Sequence, residues 1–217
     1  MKRTLDEYRL FLQEFRQTFR TTGAILPSGR SLSKALARNV GRGDAPLRIL
    51  EVGPGTGAVT AQIVKRMKPG DRLELVELND RFVERLHERF AEEPDFHKVE
   101  AQTQIHHAPL QEVNCEQPFD VVISGLPLNN FAVHEVEGLL SSLVSSVRTG
   151  GTLSFFEYVA VRYAKAAVSK ADDRVRLRGI SKALNSLFAE HPTERQWVWP
   201  NVPPAWVHHV RVERAPK

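Results

Sequence analysis

The chain has 217 residues, 41% hydrophobic and 26% charged, with a net charge of +4. That is the balance of an ordinary folded domain with a sizeable core, and it excludes a disordered or fibrous chain. With no run of 18 apolar residues, no signal-like N-terminus and Cys115 as the single cysteine, no transmembrane helix, secretion signal, disulfide framework or cysteine-based zinc site is expected, and a reducing cytoplasm is the expected setting.

Residues 4–20 read as an amphipathic helix. Leu5, Tyr8, Leu12, Phe15 and Phe19 recur at steps of three and four with Phe11 beside them, and Arg3, Glu7, Gln13, Arg16, Gln17 and Arg20 lie opposite. An aromatic stripe backed by arginine suits a membrane interface, and it equally suits a helix docked on the domain. Gly23 ends this helix, and a second starts at Pro27-Ser28 with Leu32, Leu36 and Val40 inside. The stretch Gly41-Arg42-Gly43-Asp44-Ala45-Pro46 is the clearest linker, dividing an N-terminal helical segment (1–43) from the main domain (44–217).

Past the linker, strand-like runs fall at 48–52, 73–77, 119–124 and 152–156, with a weaker one at 99–106 and two terminal ones near 196–199 and 206–212. Helical periods lie between them: Val59, Ile63 and Met67; Phe82, Val83, Leu86 and Phe90; Val136, Leu139, Leu140, Leu143 and Val147; and, late, Leu177, Ile180, Leu184, Leu187 and Phe188. Strands alternating with helices predict a mostly parallel α/β sheet with helices on both faces.

Charge is distributed unevenly. Residues 1–42 hold nine Lys/Arg against three Asp/Glu, residues 43–161 ten against eighteen, and residues 162–217 eleven against five. An acidic middle between basic ends points to a polyanionic partner, nucleic acid or an anionic membrane, or simply to solvated faces. Lys170, Arg174, Arg178 and Lys182 would form one basic stripe on a helix.

The strongest chemical signal is Ile49-Leu50-Glu51-Val52-Gly53-Pro54-Gly55-Thr56-Gly57, an apolar strand running into three alternate glycines and a helix. Glycines there permit a sharp turn and close approach of a ligand to the backbone. The spacing is not the Gly-x-Gly-x-x-Gly of dinucleotide binders. Glu77 closes the second strand, where a carboxylate can accept both hydroxyl hydrogens of a ribose. A second signal, Ser124-Gly125-Leu126-Pro127-Leu128-Asn129-Asn130-Phe131, follows the fourth strand. The adjacent pairs His106-His107 and His208-His209 would point to opposite faces of their strands, so no metal site is expected.

The glycine turn and Glu77 resemble the first two motifs of class I S-adenosylmethionine-dependent methyltransferases, over residues 45–217. The resemblance implies a seven-stranded, mostly parallel Rossmann-like sheet, here with an N-terminal amphipathic helical extension. It implies that Gly53, Gly55 and Gly57 cradle the methionine and ribose of S-adenosylmethionine, with Ser124 nearby. Glu77 would hold the ribose hydroxyls, Glu51 would reach the methionine amine, and Leu78 and Asn79 would line the adenine. At His107-Ala108-Pro109 the chain lacks the Asp common in that family.

Gly125, Leu126 and Pro127 match the turn that faces the methyl group in amino-group methyltransferases, and Leu128 stands where adenine-modifying members carry an aromatic residue. That favours an aliphatic amine, with Leu128 against the substrate. Together with Thr22–Ser28 and Asn201–Val207, the turn resembles the bacterial phospholipid N-methyltransferases, which carry phosphatidylethanolamine towards phosphatidylcholine. The implied partners are phospholipid head groups and an anionic membrane surface, with no nucleic acid, and the implied location is the inner face of the cell membrane. Tyr158, Tyr163 and Arg178 are the expected donors to a lipid phosphate, and Glu157 is a candidate base. The alternatives are an ornithine-lipid N-methyltransferase and a ribosomal RNA adenine methyltransferase.

Overall fold

Valine, isoleucine and leucine runs too short for helices build a seven-stranded sheet. The computed structural model describes residues 29–113, 117–158, 171–199, 201 and 204–213. The expectations for residues 1–28, Cys115, Tyr163, Lys170 and Val202-Pro203 lie outside them. The strands are β1 (Arg48–Val52), β2 (Arg72–Glu77), β3 (Thr103–His107), β4 (Phe119–Ser124), β5 (Val147–Tyr158), β6 (Thr193–Val198) and β7 (Ala205–Arg211). Their order is β3–β2–β1–β4–β5–β7–β6. The first five run parallel, and β7 lies antiparallel between β5 and β6.

Two strands differ from expectation. Residues 99–102 do not extend: Glu100–Gln102 form a 3-10 turn, and Thr103 Oγ1 donates to Val99 O at 2.9 Å, so β3 begins at Thr103. Val147, read as helical, pairs with Phe119 and opens β5, which crosses an irregularity at Gly150 (φ 77°) before pairing regularly with β4.

The helices are α1 (Arg30–Leu36), α2 (Thr60–Ile63), α3 (Asp80–Glu92), α4 (Pro94–His97), α5 (Val133–Ser146) and α6 (Ala171–Glu190). One apolar cluster covers the sheet face under α1, α2 and α3, with Ile63, Leu86 and Phe90 in it. A second covers the other face under α5 and α6, with Leu139, Leu143, Ile180 and Leu184. Leu32 and Leu36 of α1 are fully buried in the first cluster beside Phe156, Val198 and Val207. Leu32, Ala35, Leu36, Ala37 and Val40 thus pack into the core of the sheet. β1 and β4 are neighbours whose connections leave in opposite directions, and the crevice at such a switch point is where open α/β sheets bind ligands.

Candidate active site

The site grows from the ends of β1 and β4. Gly53 N donates to Val76 O at 2.9 Å and Gly125 N donates to Val52 O at 2.8 Å, tying both turns to the sheet. Gly53, Gly55 and Gly57 sit at φ 71°, 57° and 79°, a region other residues rarely adopt. A Cβ on Gly53 would lie 2.5 Å from Leu126 Cδ2, and one on Gly125 would lie 2.5 Å from Gly53 O. The two turns thus touch with no room for a side chain. From α3, Arg89 Nη1 donates to Thr56 O at 2.8 Å and Gly57 O at 2.7 Å. The same guanidinium grips Glu93 through Nε and Nη2 (2.7 and 2.8 Å) and lies 4.2 Å from the Phe96 ring centroid. Arg89 in turn holds the Glu93 carboxyl below the usual carboxylate range.

Two carboxylates flank the glycine turn. Glu77 accepts from Gly55 N at 3.0 Å through Oε2, and from Leu78 N at 2.9 Å and Asn79 N at 3.0 Å through Oε1. Glu51 is fully buried on β1. Its Oε2 accepts from Thr60 Oγ1 at 2.7 Å, while Oε1 has no hydrogen-bond partner. Burial, aided by the nearby Glu77 charge and opposed by the Thr60 hydrogen bond, pushes the Glu51 carboxyl from 4.5 up to about 8.

A carboxyl raised on folding binds its proton in the native state while the unfolded chain has already released it. Stability therefore falls as pH rises from about 4.5 to about 8 and is level above that window. We expect the melting temperature of the ligand-free protein to decline across this range and the decline to flatten in Glu51→Gln. Equal slopes in thermal scans of the two proteins would remove Glu51 as its source.

The turn after β4 is tied down by side chains. Ser124 is fully buried and its Oγ accepts from Leu126 N at 3.3 Å. Arg176, reaching over from α6, donates to Asn129 O at 2.7 Å and Phe131 O at 3.2 Å. Asn129 Nδ2 donates to Tyr158 O at 3.4 Å. Burial pushes the Tyr158 phenol up to about 12, and it hydrogen-bonds the Asn201 side chain. Asn201 Oδ1 also accepts from Gly29 N at 3.0 Å.

The structure thus brings together Glu51, Gly53, Gly55, Gly57, Glu77, Leu78, Asn79, Ser124, Gly125 and Leu126, and links Tyr158 to them through Asn129. Asn79 caps α3 through Oδ1, accepting from Phe82 N at 3.2 Å. Leu128, expected against the substrate, is 3% exposed and packs in the core with Phe131 and Val136. Arg178 is exposed along α6, and the arginine that holds the turn is Arg176. Sequence reasoning missed Arg176, Asn129, Thr60, Arg89 and the placement of Asn201. Thr60 had a trace, as the first polar residue on the helix after the glycine turn; the others are made by long-range packing. Glu157 Oε2 lies 3.6 Å from His208 Nε2. His208 packs against both Phe155 and Phe188, while His209 faces Ser154 and Asn39 on the other side of the sheet, as adjacent strand residues must. Burial drops the His209 imidazole to about 4. Among the described residues no group of three His, Cys, Asp or Glu is placed to hold a metal ion.

Fold and glycine turn together are those of the Rossmann-like methyltransferases, and residues 49–151, just under half of the chain, match the family model described as "Methyltransferase domain". In sequence, the chain is 33% identical over 127 residues to the ornithine lipid N-methyltransferase of Singulisphaera acidiphila, a match covering 58% of this chain and 65% of that protein, just under two thirds of its length. In structure, it is similar to an O-methyltransferase from Bacillus cereus in complex with SAH (TM-score 0.62, 14% identity, 93% of this chain and 90% of that one). It is also similar to the O-methyltransferase TomG of Streptomyces achromogenes in complex with SAM (TM-score 0.61, 18% identity, 92% and 89%). At such identities these two likenesses concern the fold.

Proposed function

We propose that the chain moves methyl groups from S-adenosylmethionine to the head-group amine of an aminolipid: phosphatidylethanolamine towards phosphatidylcholine, or an ornithine lipid. The observation that carries the reading is the buried Glu51 Oε1 without a partner, two residues before a turn too tight for side chains. A lone buried carboxyl oxygen suits the ammonium of the cofactor's amino-acid end, whose charge would draw the Glu51 carboxyl back to its ionised form. The glycine backbone would run along that end, and Glu77 would take the ribose hydroxyls. When bound, the cofactor supplies a methyl group already activated on a sulfonium, so no covalent enzyme intermediate is needed.

The work left to the protein is placement and exclusion of water. Leu126 and Leu128 make the turn after β4 apolar, and Arg176 fixes its carbonyls. Tyr158 is buried with its phenol on the Asn201 side chain and keeps its proton at neutral pH, so it is not a base. The aminolipid substrate is supported by the name of the Singulisphaera relative. Residues 1–20 are proposed to contact the membrane and close over the site, with the protein peripheral on the inner face of the cell membrane. No helix among the described residues is long and apolar enough to cross a membrane.

The competing reading, RNA adenine methylation, is favoured only by the basic ends of the chain. The test is to incubate the protein with methyl-labelled cofactor and a mixture of phosphatidylethanolamine, ornithine lipid and ribosomal RNA. Label is expected in the lipid fraction. Label in RNA would overturn the aminolipid reading.

A further inference from the structure

Among the described residues the exposed large apolar side chains are Val175 (67%), Trp197 (37%) and Trp199 (70%). Trp197 lies on β6 with Trp199 just beyond it, and alternate residues of an extended chain share one face. Trp206 of β7 pairs with Trp197 across the strands. The Trp197 ring centroid is 4.7 Å from that of Trp206 and 6.1 Å from that of Trp199. These are all three tryptophans of the chain, gathered on the outermost strand pair of the sheet. A sheet edge bearing open indoles is a liability in a protein that meets only water. Indoles are the side chains that settle at the boundary between lipid head groups and acyl chains.

Position and charge point the same way. Trp206 is level with Glu157, near the end of β5, so the cluster lies at the end of the sheet where the glycine turn opens. Asn201, two residues beyond Trp199, receives the Gly29 amide, so α1 begins beside the cluster. On α6, Phe188 stacks on His208 of β7 and underlies Arg195 of β6, so that side of the helix faces the β6–β7 edge. Ser181 and Arg174 follow at steps of seven on the same side. Arg174, Arg178 and Lys182 line one groove along it, and all three are exposed.

We infer that Trp197, Trp199 and Trp206, with the Arg174–Arg178–Lys182 stripe of α6, form a docking edge for an anionic bilayer. The indoles sit at the head-group boundary, the cations meet lipid phosphates, and the catalytic end of the sheet is turned to the membrane. This rests on the aminolipid reading above, because only a lipid substrate requires that orientation.

The cluster reports on itself, since all tryptophan fluorescence arises from it. The test uses the full chain with vesicles of phosphatidylcholine and phosphatidylglycerol in equal parts. The emission is expected to shift to the blue, and lipids brominated near the head group should quench it. Without lipid, iodide should quench it. Lys182→Gln should weaken vesicle binding about fivefold at low salt. The double variant Trp197→Ser/Trp199→Ser should weaken it about tenfold, unfold at the wild-type temperature, and keep methyl transfer to a short-chain, water-soluble aminolipid.

Unchanged emission on vesicles, or wild-type vesicle binding by the double variant, overturns the inference. So does failure of iodide to quench, which would mean that another part of the chain or a second copy covers the indoles. Methyl transfer to no aminolipid, with the emission shift intact, would instead sink the aminolipid reading and leave the docking edge standing.

Discussion

Replacing Glu77 by alanine lowers the affinity for S-adenosylhomocysteine by roughly 10- to 100-fold and leaves the sheet folded. The expectation starts from what the carboxylate already does. It accepts three backbone N–H groups, from Gly55, Leu78 and Asn79, and so fastens the glycine turn to the end of β2. A ribose diol would add two donors to the same two oxygens. Removing a charged acceptor that serves several donors costs about 1.5–3 kcal/mol, the energy behind that range of affinity. Glu77→Gln should be little better. Its amide nitrogen cannot accept a proton, so it would face Gly55 N or the Leu78 and Asn79 amides with a donor. Calorimetric titration measures the affinity, and circular dichroism checks the fold. A dissociation constant equal to wild type in the alanine variant would remove Glu77 from the site.

Gly125→Ala should lose methyl transfer by at least about 100-fold and lower the melting temperature. The added Cβ would stand 2.5 Å from Gly53 O, 3.4 Å from Gly53 C and 3.6 Å from Val52 O. All of these are backbone atoms, held by the Gly53–Val76 and Gly125–Val52 hydrogen bonds, so nothing can rotate away. Forcing such a contact costs about 1–3 kcal/mol or more. It also parts the two turns that bracket the reaction, and a misplacement near 1 Å is worth about 100-fold in rate. Gly53 differs in the contact it would make, since its Cβ would meet the movable end of Leu126, although its positive φ still penalises a side chain. Gly138→Ala is the control, because a Cβ there meets nothing within 4 Å, and it should stabilise α5 by about 0.5–1 kcal/mol. Wild-type activity in Gly125→Ala would mean that the turns have slack the geometry does not show.

β1 and β4 were legible to the residue, because each is an apolar run cut off by a glycine that the sheet's end requires. The glycine turn, Glu51 and Glu77 were legible for a related reason: their chemistry depends on local spacing along one strand–turn–helix unit. Val147 was misplaced because its burial fits the apolar period of α5 as well as the start of β5, and period alone cannot locate a turn. Arg176 left no trace, since its partners are carbonyl oxygens forty-five and forty-seven residues away. The basic stripe at steps of four drew attention to Arg178 instead. The tryptophans read only as strand residues, and nothing local shows that their strand pair ends the sheet. Leu128 was judged by the family position it occupies, while packing on Phe131 and Val136 decided where it points.

The placing of β7 between β5 and β6 also sets an order of assembly. Leu32 and Leu36 of α1 are covered by residues of β5, β6 and β7, and Gly29 finds its acceptor in Asn201, 172 positions along the chain. On the ribosome these early residues emerge long before the strands that cover them. Their apolar face must wait, exposed to water or to a chaperone, until the closing strands have been made. Contacts of such separation slow folding, because a long loop must close before they repay the lost chain entropy. The half of the sheet built from β1 to β4 can assemble as it is synthesised, and the half that receives α1 can only be finished at the end.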